Sequence, residues 1–495
     1  MKEYSPKHRT ALVFAGSGTA GAYHAGVLKA LDECGVKLDL VVGSGIGTIA
    51  AALSAVAGGA RLYGPGGFWD GIGFSSLYRL RPAVATGVAL LAAAFGVFLL
   101  PIALALLLGL LFPLILIADL VVPGAPARLL AQVWAVPDAL AGPYLATLAV
   151  PIFALSILVV VFVAQAWLRD RRRFAEAFEA VLDTRPGERR LRDALWESAR
   201  GAALTAHAPT EAELGQRYVT LLSENLGEPG FRELILRTAD LEAGRVLPFV
   251  VLQDAQRKRF LAAHVREGAE AGAPGPAGAV DLRVPGYEPL FFDAAASGLL
   301  ACVTGPVRRV SFPRGGLHSG ETHRLTEATL LGGCGISEAV AAGAEQIIVI
   351  SATPESSLLP ARRRGANARV NGVLAALERA AVSRELKEAE RLNRVVETLG
   401  HRTSDGGRAW QDPATGRLYR DLALYVIRPG RRALLPLDLD GARDPATEVV
   451  ETTGDLLQRG YEDAYRLFVE PVVGAVPPPP RPMVDEREEG QPLEL

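Results

Sequence analysis

Ala11-Leu12-Val13-Phe14-Ala15-Gly16-Ser17-Gly18-Thr19-Ala20-Gly21 is the stretch from which the fold is read. Five apolar residues run straight into a glycine, the pattern of a short buried parallel strand. The segment that follows, from about Gly21 to Cys34, has the spacing of a helix, and Gly35 stops it. The same grammar then repeats. Leu38 to Val42 is a second apolar run, Gly43-Ser44-Gly45-Ile46-Gly47 is a second glycine turn, and Thr48 to Val56 is an Ala-rich helix. Strand, glycine turn and helix in tandem predict an α/β fold with a mostly parallel sheet and flanking helices.

Composition narrows the possibilities. The chain has 495 residues, with 52 Lys and Arg against 54 Asp and Glu, a net charge of -2. It has no basic excess with which to neutralise a phosphate backbone, so nucleic acid is not an expected partner. Only 6 of the 52 basic residues are Lys, and Ala and Gly are abundant, a composition expected of a high-GC bacterial source. Cys34, Cys302 and Cys334 form an odd, sparse set, which points to a reducing compartment and not to a disulfide framework. The seven His show neither HExxH nor Cys/His clustering, so no metal is expected, and no cofactor either. MKEYSPKHRT has no apolar core ahead of the first strand, so no cleaved signal peptide is expected.

The mean hydropathy of +0.22 is high, and the excess is local. Ala83 to Ala118 is 36 residues without a charge, and Leu145 to Leu168 is 24. A helix of the second length reaches about 36 Å, enough for a hydrocarbon core of about 30 Å. Pro101 and Pro113 are expected to kink the first run. Arg79 and Arg81 precede it, and Arg169, Arg171, Arg172 and Arg173 follow the second, which places both outer ends on the cytoplasmic side. The expectation is an integral membrane protein of a bacterial inner membrane, crossing twice, or four times if a proline marks a hairpin. The expected organisation is 1–78 as the first part of the α/β domain and 79–173 as a transmembrane insertion, with apolar runs at 83–122 and 144–168. A helical connector at 174–220, the second part of the α/β domain at 221–475 and a disordered Pro-rich, acidic tail at 476–495 complete it. Leu247 to Leu252, Gln346 to Ser351 and Leu422 to Ile427 read as strands. Val370 to Leu399 and Asp455 to Val469 read as helices.

Two glycine turns carry the chemistry. Gly16-Ser17-Gly18-Thr19-Ala20-Gly21 fits G-x-G-x-x-G between a strand and a helix, which also suits a dinucleotide pyrophosphate. That use needs an acidic residue at the end of the second strand, whereas Asp39 stands at its start. The second turn, from Gly43 to Gly47, has the strand-to-helix context of a nucleophile elbow.

Taken in order, these motifs resemble the patatin-like phospholipase family. Its glycine-rich oxyanion loop corresponds to Gly16, Ser17, Gly18 and Gly21. Its H-x-G-V-L helix corresponds to His24-Ala25-Gly26-Val27-Leu28, and its G-x-S-x-G elbow to Gly43-Ser44-Gly45-Ile46-Gly47. Downstream, Ala296-Ser297-Gly298-Leu299 resembles the small-residue segment, and Glu327-Ala328-Thr329 the D-G-G motif. The resemblance implies a serine–aspartate dyad that hydrolyses lipid acyl esters, with loop N–H groups holding the oxyanion.

The departures fall on the dyad. The nucleophile position is Gly45, the partner-acid position is Glu327, and the loop arginine is Ala20. The resemblance therefore implies a catalytically degenerate, membrane-anchored protein of lipid metabolism, with membrane lipid as partner and a lipid-binding or scaffolding role. Two alternatives stay open: an active lipid acyl hydrolase with a displaced nucleophile such as Ser44, and a nucleotide-binding membrane protein using the Gly16–Gly21 loop. His24 reads as a helix-packing residue, His318 and His323 as solvated loop residues, and Asp293 as a cap.

Overall fold

The computed structural model describes residues 3–56, 58–82, 84–89, 92–93, 95–96, 99, 106–107, 110, 150, 153–154, 156–158, 161, 180–201, 209–270, 278–300, 305–314, 318–355, 366–403, 407–413, 416, 418–430, 434–443 and 450–474. Two compact units are present. Residues 1–78, 184–302 and 307–495 form the first, and residues 79–183 with 303–306 the second.

The first unit is built on a nine-stranded sheet. Its strands are β1 (Thr10–Gly16), β2 (Leu40–Gly45), β3 (Glu233–Asp240), β4 (Arg245–Val251), β5 (Val280–Asp281), β6 (Arg308–Ser311), β7 (Thr322–Glu327), β8 (Gln346–Ser351) and β9 (Ala423–Ile427). The spatial order is β9-β8-β1-β2-β3-β4-β5, and β7 pairs with β3 and β6. From β9 to β3 all pairings are parallel. The antiparallel pairings join β3 to β4, β3 to β7, and β6 to β7. A mostly parallel sheet needs cover on both faces, and β1 and β2 are buried throughout, as their uninterrupted apolar runs require.

On one face, Ala11, Val13, Leu40, Val42 and Val349 pack into a core with Phe260 and Val382. These last two come from helices α3 (Asp254–Glu270) and α6 (Ala366–Leu399). Elsewhere α1 (Ala20–Glu33) packs along a late helix, α7 (Thr453–Ala464). A Cβ at Gly26 would overlap the Leu457 carbonyl, and one at Gly460 would overlap that of Tyr23. The glycine of the H-x-G-V-L motif is thus the point of closest helix approach. The Tyr23 hydroxyl donates to Asp463 at 3.0 Å across the same seam.

Of the second unit, Arg79–Leu80 pairs antiparallel with Leu182–Asp183, and the Arg81 N–H donates to the Val181 carbonyl. The apolar runs at 83–122 and 144–168 fall mostly outside the described residues, as do 123–143 and the tail at 476–495. Among the described residues no helix is long and apolar enough to cross a membrane. A span needs about 20 apolar helical residues. The one helix that long, α6 with 34 residues, carries Glu378, Arg379, Arg384, Glu385 and Lys387. This corrects the fold expectation of a transmembrane insertion, and with it the expected integral placement in a bacterial inner membrane with a cytoplasmic domain. Freedom from charge over a stretch of chain does not by itself make a spanning helix.

An ion cluster ties the sheet to its helices. Arg237, buried in the middle of β3, donates from Nε to Glu338 Oε1 at 2.6 Å and from Nη1 to the Gly333 carbonyl at 2.9 Å. Its Nη2 lies 3.8 Å from Glu385 Oε1. Glu338 sits on the short helix α5 (Ile336–Ala341), and Glu385 on α6 accepts the N–H groups of Gly335 and Ile336 at 2.9 and 2.8 Å. Burial pushes the Glu338 carboxyl up, but Arg237 and the Ser337 hydroxyl outweigh it and hold it below the ordinary range. A carboxyl depressed in the folded state adds stability above its unfolded pKa and loses it as pH falls through the folded value. Arg237→Met is therefore expected to cost about 3–5 kcal/mol at neutral pH, since it strands a buried carboxylate. The deficit should shrink towards acid pH, where Glu338 is neutral. Urea unfolding at a series of pH values measures both, and a pH-independent deficit would contradict the assignment.

Candidate functional site

The two glycine turns meet at the carboxyl ends of β1 and β2. The elbow is the junction between β2 and α2 (Gly47–Ser54), and Gly45 stands there with φ of +61°. That left-handed conformation is uncommon for a residue with a side chain. A Cβ at Gly45 would overlap both the Thr329 hydroxyl oxygen and the Gly16 carbonyl oxygen. The elbow position is thus backbone, and the volume above it is taken by Thr329. The Thr329 Oγ1 is buried with no hydrogen-bond partner among the described residues. Gly43 and Gly47 let strand and helix close up: a Cβ on Gly47 would overlap the Phe14 carbonyl, and one on Gly43 that of Gly47.

Each downstream segment picked from the sequence has a definite place. Gly298 abuts the elbow, since a Cβ there would overlap the Gly45 carbonyl, and the Thr48 hydroxyl lies 2.8 Å from the Ala295 carbonyl. Glu327 closes β7, buried, opposite Thr238 of β3. Burial and then the Glu327 charge drive the Tyr78 hydroxyl pKa upward. The structure therefore brings the Glu327-Ala328-Thr329 segment to the elbow, with the Thr329 hydroxyl, two residues beyond Glu327, against Gly45.

Ser44 faces away into the ion cluster. Its hydroxyl donates to the Gly333 carbonyl at 3.4 Å and accepts from Arg237 Nη1 at 3.4 Å. The side chain is fully buried.

The oxyanion-type loop is occupied by the protein itself. The Thr19 N–H donates to the Pro436 carbonyl at 3.0 Å, and the Thr19 hydroxyl donates to the Leu435 carbonyl at 3.0 Å. Gly18, with φ of +57°, lets Pro436 come so close that any Cβ would overlap its carbonyl oxygen. In a nucleophile elbow the N–H after the nucleophile is an oxyanion donor; here the Ile46 N–H donates to the Gly16 carbonyl at 2.9 Å. A Cβ on Gly21 would overlap the Trp69 ring.

A residue that sequence reading missed is Glu378. Its carboxylate is buried, and Oε1 would lie 2.6 Å from a Cβ on Gly16. The available signal was phase: Glu378 shares a helical face with the buried Ala375 and Val382. His24 packs as expected. Its ring nitrogen lies 3.0 Å from the Ala15 carbonyl, and burial pushes its pKa down to about 4, so it is a neutral donor. Asp293 pairs with Arg308, which also reaches Glu211 at 2.6 Å and Glu188 at 3.2 Å. His318 and His323 are buried together by the β6–β7 hairpin, not in solvent.

Residues 12–82 match the family model of the patatin-like phospholipases. Patatin-like phospholipase domain-containing protein 6 of Mus musculus and of Homo sapiens are each 56% identical over 45 residues, which is 9% of this chain and 3% of each relative. The matched region is thus a small part of those proteins. A crystal structure of VipD from Legionella pneumophila superposes at 12% identity with a TM-score of 0.30, covering 94% of this chain and 67% of that one, too loosely to bear on the argument. The glycine loop, helix and elbow that build this site lie within Leu12 to Pro82, the stretch that matches the patatin-like phospholipase model.

Proposed function

We propose that this chain is a patatin-like protein whose acyl-hydrolase centre is catalytically degenerate, and that it serves lipid metabolism by binding lipid or scaffolding a partner. The observation that carries the reading is the elbow. Gly45 offers no oxygen, and the space a serine side chain would need is filled by Thr329 and the Gly16 carbonyl. Two further features support it. Pro436 and Leu435 take the hydrogen bonds of Thr19 in the loop that would hold an oxyanion. The buried Glu378 side chain stands against Gly16 and takes space beside the loop.

The displaced-nucleophile alternative draws no support from the surroundings of Ser44. Its oxygen accepts from a guanidinium, which lowers its electron density, and neither neighbour is a general base. Nucleotide binding is equally poorly served, because the Gly16–Gly21 turn that would approach a pyrophosphate is covered by Pro436. For lipid, a cavity of about 310 Å³ offers a place. It is lined by Val340, Ala389, Leu392 and Leu422, with Arg259 at its wall and Arg420 already paired there with Glu345. Burial, then Arg420, lowers the Arg259 pKa.

The expected outcome is that a fluorophosphonate probe does not label the full chain, and that Ser44→Ala leaves this background unchanged. Stoichiometric labelling that Ser44→Ala abolishes, in a variant with an intact unfolding transition, would replace this proposal with the displaced-nucleophile one.

A further inference from the structure

At the other end of β7 from Glu327 a second group of side chains converges. His318 and Glu321 lie in the loop before β7, and His323 lies on the strand itself. One ligand atom from each of the three lies within 4.8 Å of the others. Glu321 Oε2 is 3.3 Å from His318 Nδ1 and 3.0 Å from His323 Nε2. On its far side, His323 Nδ1 is 2.7 Å from Asp240 Oδ2. Asp240 is itself fixed, since its Oδ1 accepts the N–H groups of Glu242 and Ala243 at 3.0 and 3.3 Å.

This arrangement sets the state of the imidazole. Nδ1–H of His323 donates to Asp240, so in the neutral ring Nε2 carries a lone pair. This Nε2 lies 3.0 Å from a carboxylate oxygen, a contact that a proton or a metal ion would satisfy. The separations suit a metal ion. Donors about 2.0–2.1 Å from a tetrahedral zinc lie roughly 3.3–3.4 Å from one another. Asp240 then stands where an outer carboxylate orients a metal-bound His.

His318 supplies an independent observation. It is buried, its Nδ1 faces Glu321 while its Nε2 has no hydrogen-bond partner among the described residues, and its backbone has φ of +59°. It is the sole non-glycine residue with positive φ among the described residues. Such strain in a histidine is maintained by what surrounds it. The Phe312 ring packs against both imidazoles at 5.2 Å and holds their planes. Glu321 remains 59% exposed, which gives an ion an entry path and leaves room for a water as fourth ligand.

We propose that His318, Glu321 and His323 form a zinc-binding site at the start of β7, with His323 oriented by Asp240. It lies at the other end of β7 from the elbow, so it is separate from the hydrolase centre. His318-x-x-Glu321-x-His323 was overlooked in the sequence because it lacks the spacings of helical zinc motifs.

The test uses untagged full-length protein, stripped with EDTA and titrated with ZnCl₂ by calorimetry and with Co²⁺ by visible absorption. The expected result is one Zn²⁺ per chain, a Co²⁺ d–d spectrum, and a thermal midpoint that rises with Zn²⁺. His323→Ala and Glu321→Gln should each weaken binding at least tenfold, and Asp240→Asn by about 10–100-fold. Glu321 is exposed, so Glu321→Gln keeps the test valid should His323→Ala fail to fold. Binding no stronger than in Glu321→Gln, or a midpoint unmoved by Zn²⁺, would overturn the proposal and leave a protonated histidine pair held by two carboxylates.

Discussion

The left-handed backbone at Gly45, wedged between the Gly16 carbonyl and the Thr329 hydroxyl, is the constraint on which the rest of the site depends. To make that turn, β2 must end and α2 begin within one residue. The helix must then lie so close to β1 that Gly47 fits under Phe14. In a hydrolase elbow a residue with a side chain takes this conformation at the cost of strain, which lifts a nucleophile off the sheet. Here the turn survives with glycine, which adopts the conformation without strain. The segment after Glu327 has moved a hydroxyl into the vacated volume. A filled elbow, a loop closed by Pro436 and a buried Glu378 side chain at Gly16 together take up the space around the turn.

Around this centre the fold is held by interactions that need no catalysis. The Arg237 cluster couples the middle of the sheet to α5 and α6, and Glu385 doubles as a cap on the α5 N-terminus. The close seam between α1 and α7 depends on Gly26 and Gly460. Loop, helix and elbow are structural parts in their own right, held by packing.

The legible portion of the sequence was the portion with unbroken apolar runs. The strands around Ala11–Ala15, Leu40–Val42 and Gln346–Ser351 are buried on both faces and carry no interior charge, so pattern alone exposes them. β3 was missed because Glu233, Arg237 and Asp240 break its run, although all three are buried and paired in the fold. A charge in a strand reads as exposure until its partner is known, and the partners of Arg237 lie about a hundred or more residues away. The same limit hid Glu378 and the His318 cluster, which are assembled by tertiary contact. Hydropathy misled in the opposite direction at 83–122 and 144–168, where lack of charge suggested spans that no described helix provides. Gly45 and Glu327 could be singled out because the motif order fixes them. That Thr329 fills the elbow could not, since volume is not written in a motif.

The most direct test of this account is a double-mutant cycle between Gly45→Ala and Thr329→Gly, read by equilibrium unfolding. The account predicts that Gly45→Ala alone costs at least about 2 kcal/mol, from a side chain in left-handed backbone and from overlap with Thr329. In the Thr329→Gly background the cost should fall by about 1 kcal/mol or more, because the overlap with Thr329 is gone while that with the Gly16 carbonyl remains. Additive effects, with Gly45→Ala equally costly in both backgrounds, would show that Thr329 does not occupy the elbow and would contradict the account.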